Sequence, residues 1–338
     1  MFFTSSNVAT EYNKKPKVLY VSWAENCSRS DHTARELGGA SHMIYIPQLG
    51  SHPATIILKY FGQFFMTLKL LFREKPGVVF VMSPPVIAVL PVYLYALLKR
   101  IPYVIDSHTA AFLMPRWKRF QGLQRWLERR AATTIVHNEH LAEIVRKGGG
   151  HTTIVRDMPI EYNIGERYPM KDGFSVAAVC SFNYDEPIEA IMDAARQVPD
   201  VQFYMTGNAK HLAPELKNNL PENVKLTGFI SDAAYGSLIQ DADVVMSLTI
   251  RDHTMLRAAY EGIYQGTPVL ISNWQLLRNA FPIGAAHVDN SANSIAEAIR
   301  NIQSNKQKFK AEAEELRARK YEQWQQTKLS ILERIDRK

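Results

Sequence analysis

Short apolar runs alternate along the chain with stretches whose spacing suits helices. Alternation of this kind is typical of βαβ units, which build parallel sheets. We therefore predict a flexible lead-in over residues 1–15 and a first α/β domain over residues 16–160. Its predicted strands are Val18–Ser22, His42–Ile46, Val78–Met82, Tyr103–Ile105 and Thr133–Val136.

The alternation restarts after a polar linker at residues 161–173 and predicts a second α/β domain over residues 174–304. The C-terminal helices, residues 305–338, are expected to pack back on the first domain. The predicted fold class is α/β, with two tandem doubly wound, Rossmann-like domains facing a cleft. The loops at the carboxyl ends of the strands should bind ligands. The predicted strands of this domain are Phe174–Cys180, Val201–Met205, Val224–Leu226, Val244–Ser247, Val269–Ile271 and Ala286–Val288, and the helices are Pro187–Arg196, Ala233–Gln240, Met255–Tyr264 and Ser294–Gln303.

The charge and cysteine content of the chain limit the kinds of molecule that it is expected to bind. The 338 residues carry a formal net charge of +7, which favours nucleotide diphosphates, acidic lipid surfaces or nucleic acid. Nucleic acid is the weakest of these, because no RNA-binding aromatic pattern, zinc spacing or basic tail is present. The two cysteines, Cys27 and Cys180, form no metal pattern and suggest a reducing cytoplasm. No secretory leader is predicted at the N-terminus.

Several common enzyme motifs are missing from the sequence. The first predicted strand is followed by Trp23–Ser30, which has no Gly-x-Gly-x-x-Gly finger, and this disfavours a nicotinamide dehydrogenase. No Walker lysine motif, nucleophile elbow or His-Glu-x-x-His sequence occurs either.

The segment Leu248–Ser272 is the most informative part of the chain. It predicts a strand end, a polar loop, a helix and a new strand, and the helix N-terminus should attract a diphosphate. Arg251, His253 and Thr254 are the candidate donors, and Glu261 lies two turns further on, where it could reach sugar hydroxyls. The alternative is an ordinary helix–strand connection with a solvated loop.

Three residues of the first domain are candidate catalytic groups. His108 follows Asp106 at the end of a predicted strand, where a histidine can act as a base or donate to a sugar or phosphate. Asp31, in the first β/α loop, is a candidate acceptor base. The alternatives are a structural histidine capping a loop and, for Asp31, a helix N-cap.

Two segments are candidates for membrane contact. Pro115–Arg130 is predicted to be a basic amphipathic helix that lies on an anionic bilayer, and the alternative is a packed helix with a solvated basic face. Ala54–Phe72 is apolar but is interrupted by polar residues at helical spacing, so we predict a mostly buried helix, with a lipid-touching surface helix as the alternative. The membrane-contact residues predicted in the first segment are Arg116, Trp117, Lys118, Arg119 and Phe120.

Six motifs follow one another in a fixed order along most of the chain. They are Asp106–Thr109, His137–Glu143, Thr206–Gly207, Leu226–Ile230, Ala242–Ser247 and Glu261–Ser272. Together they resemble the two-domain glycosyltransferases of the GT-B fold, family 4 in particular. The Ser83-Pro84-Pro85 and Asp106-Ser107-His108 sequences are also reminiscent of the β-1,4-mannosyltransferases of lipid-linked oligosaccharide assembly.

The sequence departs from the family pattern at two places. Family members usually carry a glutamate eight residues before the position of Glu261, where this chain has His253. They also usually carry an arginine and a lysine after the first strand of the second domain, whereas the loop Ser181–Pro187 contains no cation. Arg251 or Lys210 could replace these missing charges.

The resemblance implies that the second domain binds a nucleotide-diphosphate sugar and that the first binds the acceptor. Gly207, Gly228, Phe229 and Ile230 would then join the donor site, the last three through their backbone at the base. We predict a hexosyltransferase that acts on a glycan or lipid-linked acceptor, peripheral to the inner face of the cell membrane, with no metal or other cofactor. The alternatives are a sugar-nucleotide epimerase of the same fold and an inactive sugar-binding or scaffold protein.

Overall fold

A computed structural model describes residues 17–49, 53–156, 158–162, 165–252 and 254–337. The predicted lead-in of residues 1–15 lies outside the described residues, as does His253. The chain divides into two compact units, Met1–Met158 with Gln325–Lys338, and Pro159–Trp324. Each unit is described by itself.

The first unit is built on a six-stranded parallel sheet with the order β2-β1-β3-β4-β5-β6. The chain reverses direction across the sheet between β1 and β3, which is the switch point of a doubly wound fold. The strands are β1 (Val18–Ser22), β2 (Ala40–Met43), β3 (Val78–Ser83), β4 (Tyr103–Ser107), β5 (Thr133–Val136) and β6 (Thr152–Ile154). The helices are α1 (Ser28–Glu36), α2 (Pro53–Glu74), α3 (Val89–Lys99), α4 (Thr109–Leu113), α5 (Gln121–Glu128) and α6 (Glu139–Lys147), with 3₁₀ turns at Pro47–Leu49, Val86–Ala88 and Pro115–Phe120.

The second unit has its own six-stranded parallel sheet, with the order β12-β11-β10-β7-β8-β9. Its switch point lies between β7 and β10. The strands are β7 (Ser175–Ala178), β8 (Gln202–Thr206), β9 (Val224–Gly228), β10 (Val244–Ser247), β11 (Val269–Ser272) and β12 (Ala285–Val288). The helices are α7 (Ile188–Gln197), α8 (Pro214–Asn218), α9 (Asp232–Asp241), α10 (Arg257–Tyr264), α11 (Gln275–Ala280) and α12 (Ala292–Ser304). The last helix, α13 (Lys306–Asp336), begins in the second unit and ends in the first, to which Gln325–Lys338 belongs.

The two parallel sheets with their connecting helices confirm the predicted α/β class. Central strands such as β3 and β10 are buried along their whole length. Burial on both faces explains why these strands are continuous apolar runs rather than alternating ones. The strand β6 was not predicted, since its Thr-Thr-Ile sequence is too short and polar to stand out. The strand β4 continues two residues beyond the predicted end, which places Asp106 inside the sheet rather than in a loop.

Candidate functional site

Asp106 is the centre of a buried polar cluster in the first unit. Its carboxylate accepts a hydrogen bond from the Tyr20 hydroxyl at 2.6 Å and pairs with the Arg29 guanidinium of α1 at 3.1 Å. Burial alone would raise the pKa of Asp106, but the Arg29 cation, the nearby histidines and the Tyr20 bond outweigh it and lower the pKa to about 2. Asp106 is therefore ionised and held by an internal partner.

Two histidines flank this carboxylate. His108 follows β4 and His137 follows β5, and their rings meet edge to face with 5.3 Å between centroids. Burial lowers the pKa of both rings, to about 4 for His137, although the Asp106 charge partly offsets it. Both imidazoles are neutral near pH 7, so each can accept a proton. The structure thus brings Asp106 and His108 together, as predicted, and adds His137.

Four buried polar atoms at the ends of β3 and β4 have no hydrogen-bond partner among the described residues. Ser83 lies opposite Ser107 in the strand register, and Asp106 and His108 flank Ser107 in the chain. Buried polar atoms in native proteins are nearly always satisfied by protein, water or ligand. The group is therefore suited to binding a polar ligand such as a sugar hydroxyl. The atoms are Ser83 Oγ, Asp106 Oδ1, Ser107 Oγ and His108 Nε2.

Asp31 does not belong to this cluster. It lies in the first turn of α1, and its carboxylate accepts a hydrogen bond from the Ser41 hydroxyl of β2. The N-cap position of α1 is Cys27, so Asp31 is not the capping residue either. The predicted position of Asp31 in the first β/α loop was wrong, because α1 already begins at Ser28, and it is Arg29 of this helix that pairs with Asp106. The role of Asp31 as an acceptor base stays a prediction.

In the second unit, two loops meet at the switch point of the sheet. The backbone N–H of Ile250, after β10, donates to the Asp185 carbonyl, after β7, at 2.8 Å. The Arg251 guanidinium lies 4.6 Å from the centre of the Tyr184 ring. Both side chains are exposed. A cation is thus placed at the position where doubly wound folds bind their ligands.

The loop after β7 lacks a cation and is closed by Glu186 instead. The Glu186 carboxylate accepts hydrogen bonds from the backbone N–H groups of Ser181 and Asn183, at 2.9–3.0 Å. The helix α7 then begins with Pro187 at its N-cap and no side-chain cap. Glu186 therefore shapes the loop rather than capping the helix. These backbone donors therefore already hold an anion. Among the described residues of the two loops, Arg251 is the one arginine or lysine, and it is exposed.

A cavity of about 560 Å³ lies beside this loop, between α7 and the segment after β8. Its volume falls in the range of small-molecule sites. Gly207 permits the close approach of the two segments, since it has a φ of +105° and a Cβ there would lie 2.3 Å from the Cys180 carbonyl oxygen. Any side chain at this position would force the loops apart. The cavity is lined by Phe182, Asn183, Tyr184, Glu186, Pro187, Ile188, Glu189, Ala190, His211, Leu212, Ala213 and Leu216.

The loop after β10 is held in place by side chains of its neighbours. The Thr249 carbonyl accepts hydrogen bonds from Trp274 Nε1 at 2.9 Å and from Asn290 Nδ2 at 3.0 Å. Thr254 is half-buried, and α10 begins at Arg257, two residues later than predicted, with no side-chain cap. An uncapped helix N-terminus leaves backbone N–H groups for an anion.

Glu261 occupies a different environment from the one predicted. It is 6% exposed, and its two oxygens accept from Tyr235 at 2.6 Å and from Arg257 at 2.8 Å. Burial, together with the nearby Glu261 carboxylate, raises the pKa of Tyr162. These internal partners disfavour the predicted contact of Glu261 with sugar hydroxyls, which stays a prediction.

The remaining predicted donor-site residues lie at the end of β9. Gly228 has a φ of +65° and ends the strand. Phe229 is 85% exposed, and Ile230 packs partly on the core of the second unit. An aromatic ring so exposed next to a turn is free to contact a ligand, although β9 is the edge strand and is separated from β10 by two strands.

The segment Pro115–Arg130 is not one amphipathic helix. It consists of a 3₁₀ turn and the short helix α5, and Trp117 is only 7% exposed within the core of the first unit. Phe120 packs partly on the same core. The prediction that Trp117 contacts a membrane was therefore wrong, since the apolar side of this segment faces the sheet. Arg116, Lys118 and Arg119 are exposed.

The helix α2 also differs from its prediction. Thr55–Glu74 is the one helix of the described residues with the length and apolarity to cross a bilayer, and only 22% of its apolar window is buried. The prediction of a mostly buried helix was wrong. No group of three or more His, Cys, Asp or Glu side chains suited to a metal ion occurs in the part of the chain that the structure describes. Independence from metal remains a prediction.

Comparisons with known proteins bear directly on the second unit. Residues 175–305 match the family model of glycosyl transferases group 1. The matched stretch is therefore similar to a group 1 glycosyltransferase domain. It contains all of β7 to β12, with the switch-point loops, the cavity and the N-terminus of α10. The match supports a glycosyltransferase activity. Comparison with curated protein sequences finds no match.

The chain is similar in fold to solved structures over 93–95% of its length. HepE from Anabaena, in complex with UDP-glucose, has a TM-score of 0.61 and 14% identity over 95% of this chain and 98% of that chain. Sucrose-phosphate synthase from Thermosynechococcus elongatus has a TM-score of 0.61 and 16% identity over 93% and 97%. A glycosyltransferase from Rickettsia africae ESF-5 has a TM-score of 0.64 and 11% identity over 95% and 99%. These similarities confirm the predicted GT-B fold.

Sequence reasoning missed the partners of the predicted carboxylates. Arg29 and Tyr20 serve Asp106, and Arg257 and Tyr235 serve Glu261. Arg257 is four residues from Glu261, a spacing at which helical side chains meet, and this signal was available in the sequence. Arg29 and Asp106 are 77 residues apart, so only the folded sheet brings them together.

Proposed function

We propose that the chain is a hexosyltransferase that moves a sugar from a nucleotide-diphosphate sugar to a glycan or lipid-linked acceptor, in polysaccharide or glycolipid synthesis. It would work as a peripheral protein on the cytoplasmic face of the cell membrane. The epimerase and the inactive sugar-binding or scaffold protein remain the alternatives.

One observation carries the proposal. Arg251 and the uncapped N-terminus of α10 follow the same strand, β10, at the switch point of the group 1 glycosyltransferase domain. Both are positive, and both lie in the segment where the donor's diphosphate would have to be held. As the bond to the sugar breaks, negative charge grows on the leaving diphosphate. Fixed positive groups stabilise that charge without needing a metal.

The donor would extend from this point into the neighbouring loops. The cavity beside α7 has the volume for a sugar or a base, and its rim includes Tyr184, which contacts Arg251. The backbone at Gly228–Ile230 is the proposed contact of the base. The complex of Anabaena HepE with UDP-glucose supports a UDP-sugar as the first donor to test.

The first unit would bind the acceptor and supply the base. His108 is half-buried, neutral near pH 7 and has a ring nitrogen without a partner among the described residues. In the proposed step, an acceptor hydroxyl attacks the anomeric carbon and passes its proton to His108. The bond between that carbon and the phosphate oxygen breaks, and the nucleoside diphosphate leaves with the electron pair. Asp106, already paired with Arg29, positions the cluster and stabilises the protonated imidazole.

Nucleotide binding and release test this function. Calorimetry of UDP- and GDP-sugars on the wild type should find a donor, and Arg251→Gln should weaken its binding about tenfold, as loss of a charge-assisted contact does. Arg196→Gln, on an exposed arginine of α7, is the matched control and should bind normally. Equal donor binding by the Arg251 variant and the wild type would contradict the site.

Product analysis separates the three candidate activities. Release of nucleoside diphosphate that requires a membrane lipid extract, with the sugar recovered on lipid, supports the transferase. Release without any acceptor supports the epimerase. Donor binding with no release under either condition supports the inactive binding protein.

A further inference from the structure

The polarity of helix α2 is inverted with respect to a normal surface helix. Its polar residues Lys59, Gln63 and Thr67 are four residues apart and are 8%, 1% and 0% exposed. Gln63 donates to the Ile44 carbonyl, and Trp23 Nε1 donates to the Thr67 hydroxyl at 2.9 Å. The Lys59 ammonium lies 4.2 Å from the centre of the Tyr45 ring. The polar stripe therefore fixes α2 to the first unit.

The apolar side chains of α2 face outward. Phe61 is 61% exposed and Phe65 is 52% exposed, and the two rings contact each other edge to face. A helix that is anchored by a buried polar stripe and exposes aromatic and aliphatic side chains loses free energy in water, because apolar area is left hydrated. The exposed apolar residues of α2 are Ile57, Leu58, Phe61, Phe65, Met66 and Phe72.

Helix α3 continues this apolar surface. It packs against α2, and the Phe72 ring meets the Tyr95 ring edge to face at 5.2 Å. Leu94, Leu97 and Leu98 of α3 are 46%, 63% and 66% exposed. We call the exposed apolar residues of the two helices the α2–α3 face. A contiguous apolar surface of this kind marks an interaction site.

Cations border the α2–α3 face. The Lys99 ammonium lies 5.7 Å from the centre of the Phe72 ring. The Arg130 guanidinium lies 4.0 Å from the centre of the Trp126 ring, and Trp126 packs on Tyr93 of α3. Arg100 and Arg130 also line a groove of about 350 Å³ beside the end of α3. Apolar side chains with cations and aromatic rings at their border match the boundary between acyl chains and anionic headgroups.

We propose that the α2–α3 face docks on an anionic lipid bilayer, with α2 lying in the plane of the membrane and Phe61 and Phe65 inserted below the headgroups. The buried polar stripe explains why α2 lies flat rather than crossing, since Lys59, Gln63 and Thr67 would have to leave their contacts in the core. The basic border selects anionic lipid over an apolar protein partner. The inference rests on the proposed function only in giving this surface a purpose, which is access to a lipid-linked acceptor.

Vesicle sedimentation tests this surface directly. The wild type should bind vesicles of phosphatidylglycerol and phosphatidylcholine and should bind pure phosphatidylcholine much more weakly. The double variant Phe61→Ser with Phe65→Ser should lower the partition coefficient at least about tenfold, because two exposed apolar anchors are lost. Leu329→Ser is the matched control, since Leu329 is 60% exposed on α13, and it should bind like the wild type.

A second measurement reports insertion with Phe61 and Phe65 left in place. An environment-sensitive fluorophore on Leu58→Cys should shift to the blue on anionic vesicles, and the same label on Leu329→Cys should not. Unchanged vesicle binding by the double variant, equal binding to neutral vesicles, or the absence of a shift at position 58 would each overturn the proposal. The wild type could instead form concentration-dependent dimers that the double variant abolishes, with no binding to vesicles. That result would overturn the proposal and show that a second copy of the chain covers the α2–α3 face.

The outcome is independent of the proposed activity. Donor binding in solution should be the same for the wild type and the double variant, because the α2–α3 face contains none of the donor-site residues. Vesicle binding that depends on Phe61 and Phe65, in a protein that binds no nucleotide sugar, would refute the proposed function and leave this surface standing. Normal donor turnover with no vesicle binding would refute the membrane surface and leave the proposed function standing.

Discussion

Each unit of the molecule buries a carboxylate that is held by an arginine and a tyrosine. In the first unit, Asp106 is held by Arg29 and Tyr20, and in the second unit Glu261 is held by Arg257 and Tyr235. Both tyrosine bonds are 2.6 Å long. The sequence drew attention to both carboxylates for the same reason, since each is an acid near the carboxyl edge of a sheet.

The two clusters differ in what remains unpaired. Both oxygens of Glu261 have protein partners, whereas Oδ1 of Asp106 has none among the described residues and two neutral histidines stand beside it. A saturated carboxylate fixes structure, and a carboxylate with spare acceptor capacity beside a base can also serve chemistry. By this comparison, Glu261 has the more fully paired carboxylate, whereas one oxygen of Asp106 has no partner among the described residues.

The largest expected effect comes from Asp106. Asp106→Asn removes the buried negative charge that pairs with the Arg29 cation, which should lower the free energy of unfolding by about 3–5 kcal/mol. Urea denaturation measures this loss. Asp200→Asn is the control, because the Asp200–Arg300 pair has the same chemistry but is solvent-exposed, and its loss should change stability little. Equal stability of the Asp106 variant and the wild type would show that the buried pair is not formed.

The histidine beside Asp106 predicts a pH dependence. The pKa of His137 is about 4 in the folded state against 6.5 for the free group, so the unfolded chain binds more protons between these values. Stability contributed by neutral His137 is therefore present above pH 6.5 and is lost as pH falls through 4. The contribution is on the order of 3 kcal/mol.

Urea unfolding of the wild type and of His137→Gln across pH 4–7 measures this contribution as the difference between their free energies of unfolding, because glutamine does not titrate. The wild type alone would not suffice, because Glu128 changes the stability in the opposite direction. Burial raises the pKa of Glu128 to about 7, so the stability that Glu128 contributes is lost as pH rises. Parallel pH profiles for the two proteins would mean that His137 does not titrate in this environment.

A smaller effect is expected at Glu261. Glu261→Gln replaces a charge-assisted pair with Arg257, which is partly exposed, and should cost about 2 kcal/mol of stability. Donor affinity, measured by calorimetry, should not change. Tyr235→Phe removes one hydrogen bond to the same carboxylate and should cost about 1 kcal/mol. Weaker donor binding by Glu261→Gln with an unchanged melting temperature would restore the carboxylate to the donor site and end the contrast with Asp106.

These contrasts also show what the sequence could and could not predict. Apolar runs such as Val244–Ser247 determine where buried strands form, and they can be recognised without knowing which residues they contact in the fold. The orientation of α2 was predicted wrongly because a four-residue spacing places Lys59, Gln63 and Thr67 on one face without saying which face is inside. Contacts such as that of Trp23 with Thr67, 44 residues apart, determine which face of α2 is buried, and they exist only in the folded chain.

The smallest expected effect concerns the contact between Tyr184 and Arg251, an arginine that differs from Arg29 and Arg257 in its partner. Its guanidinium faces the Tyr184 ring, and no carboxylate of the described residues pairs with it. Tyr184→Leu should remove this cation–π contact and weaken donor binding about two- to fivefold, as exposed contacts of this type contribute about 0.5–1 kcal/mol. In an Arg251→Gln background, the same change should have no further effect, because its action passes through the arginine. Additive losses in calorimetry would instead show that Tyr184 contacts the donor by itself.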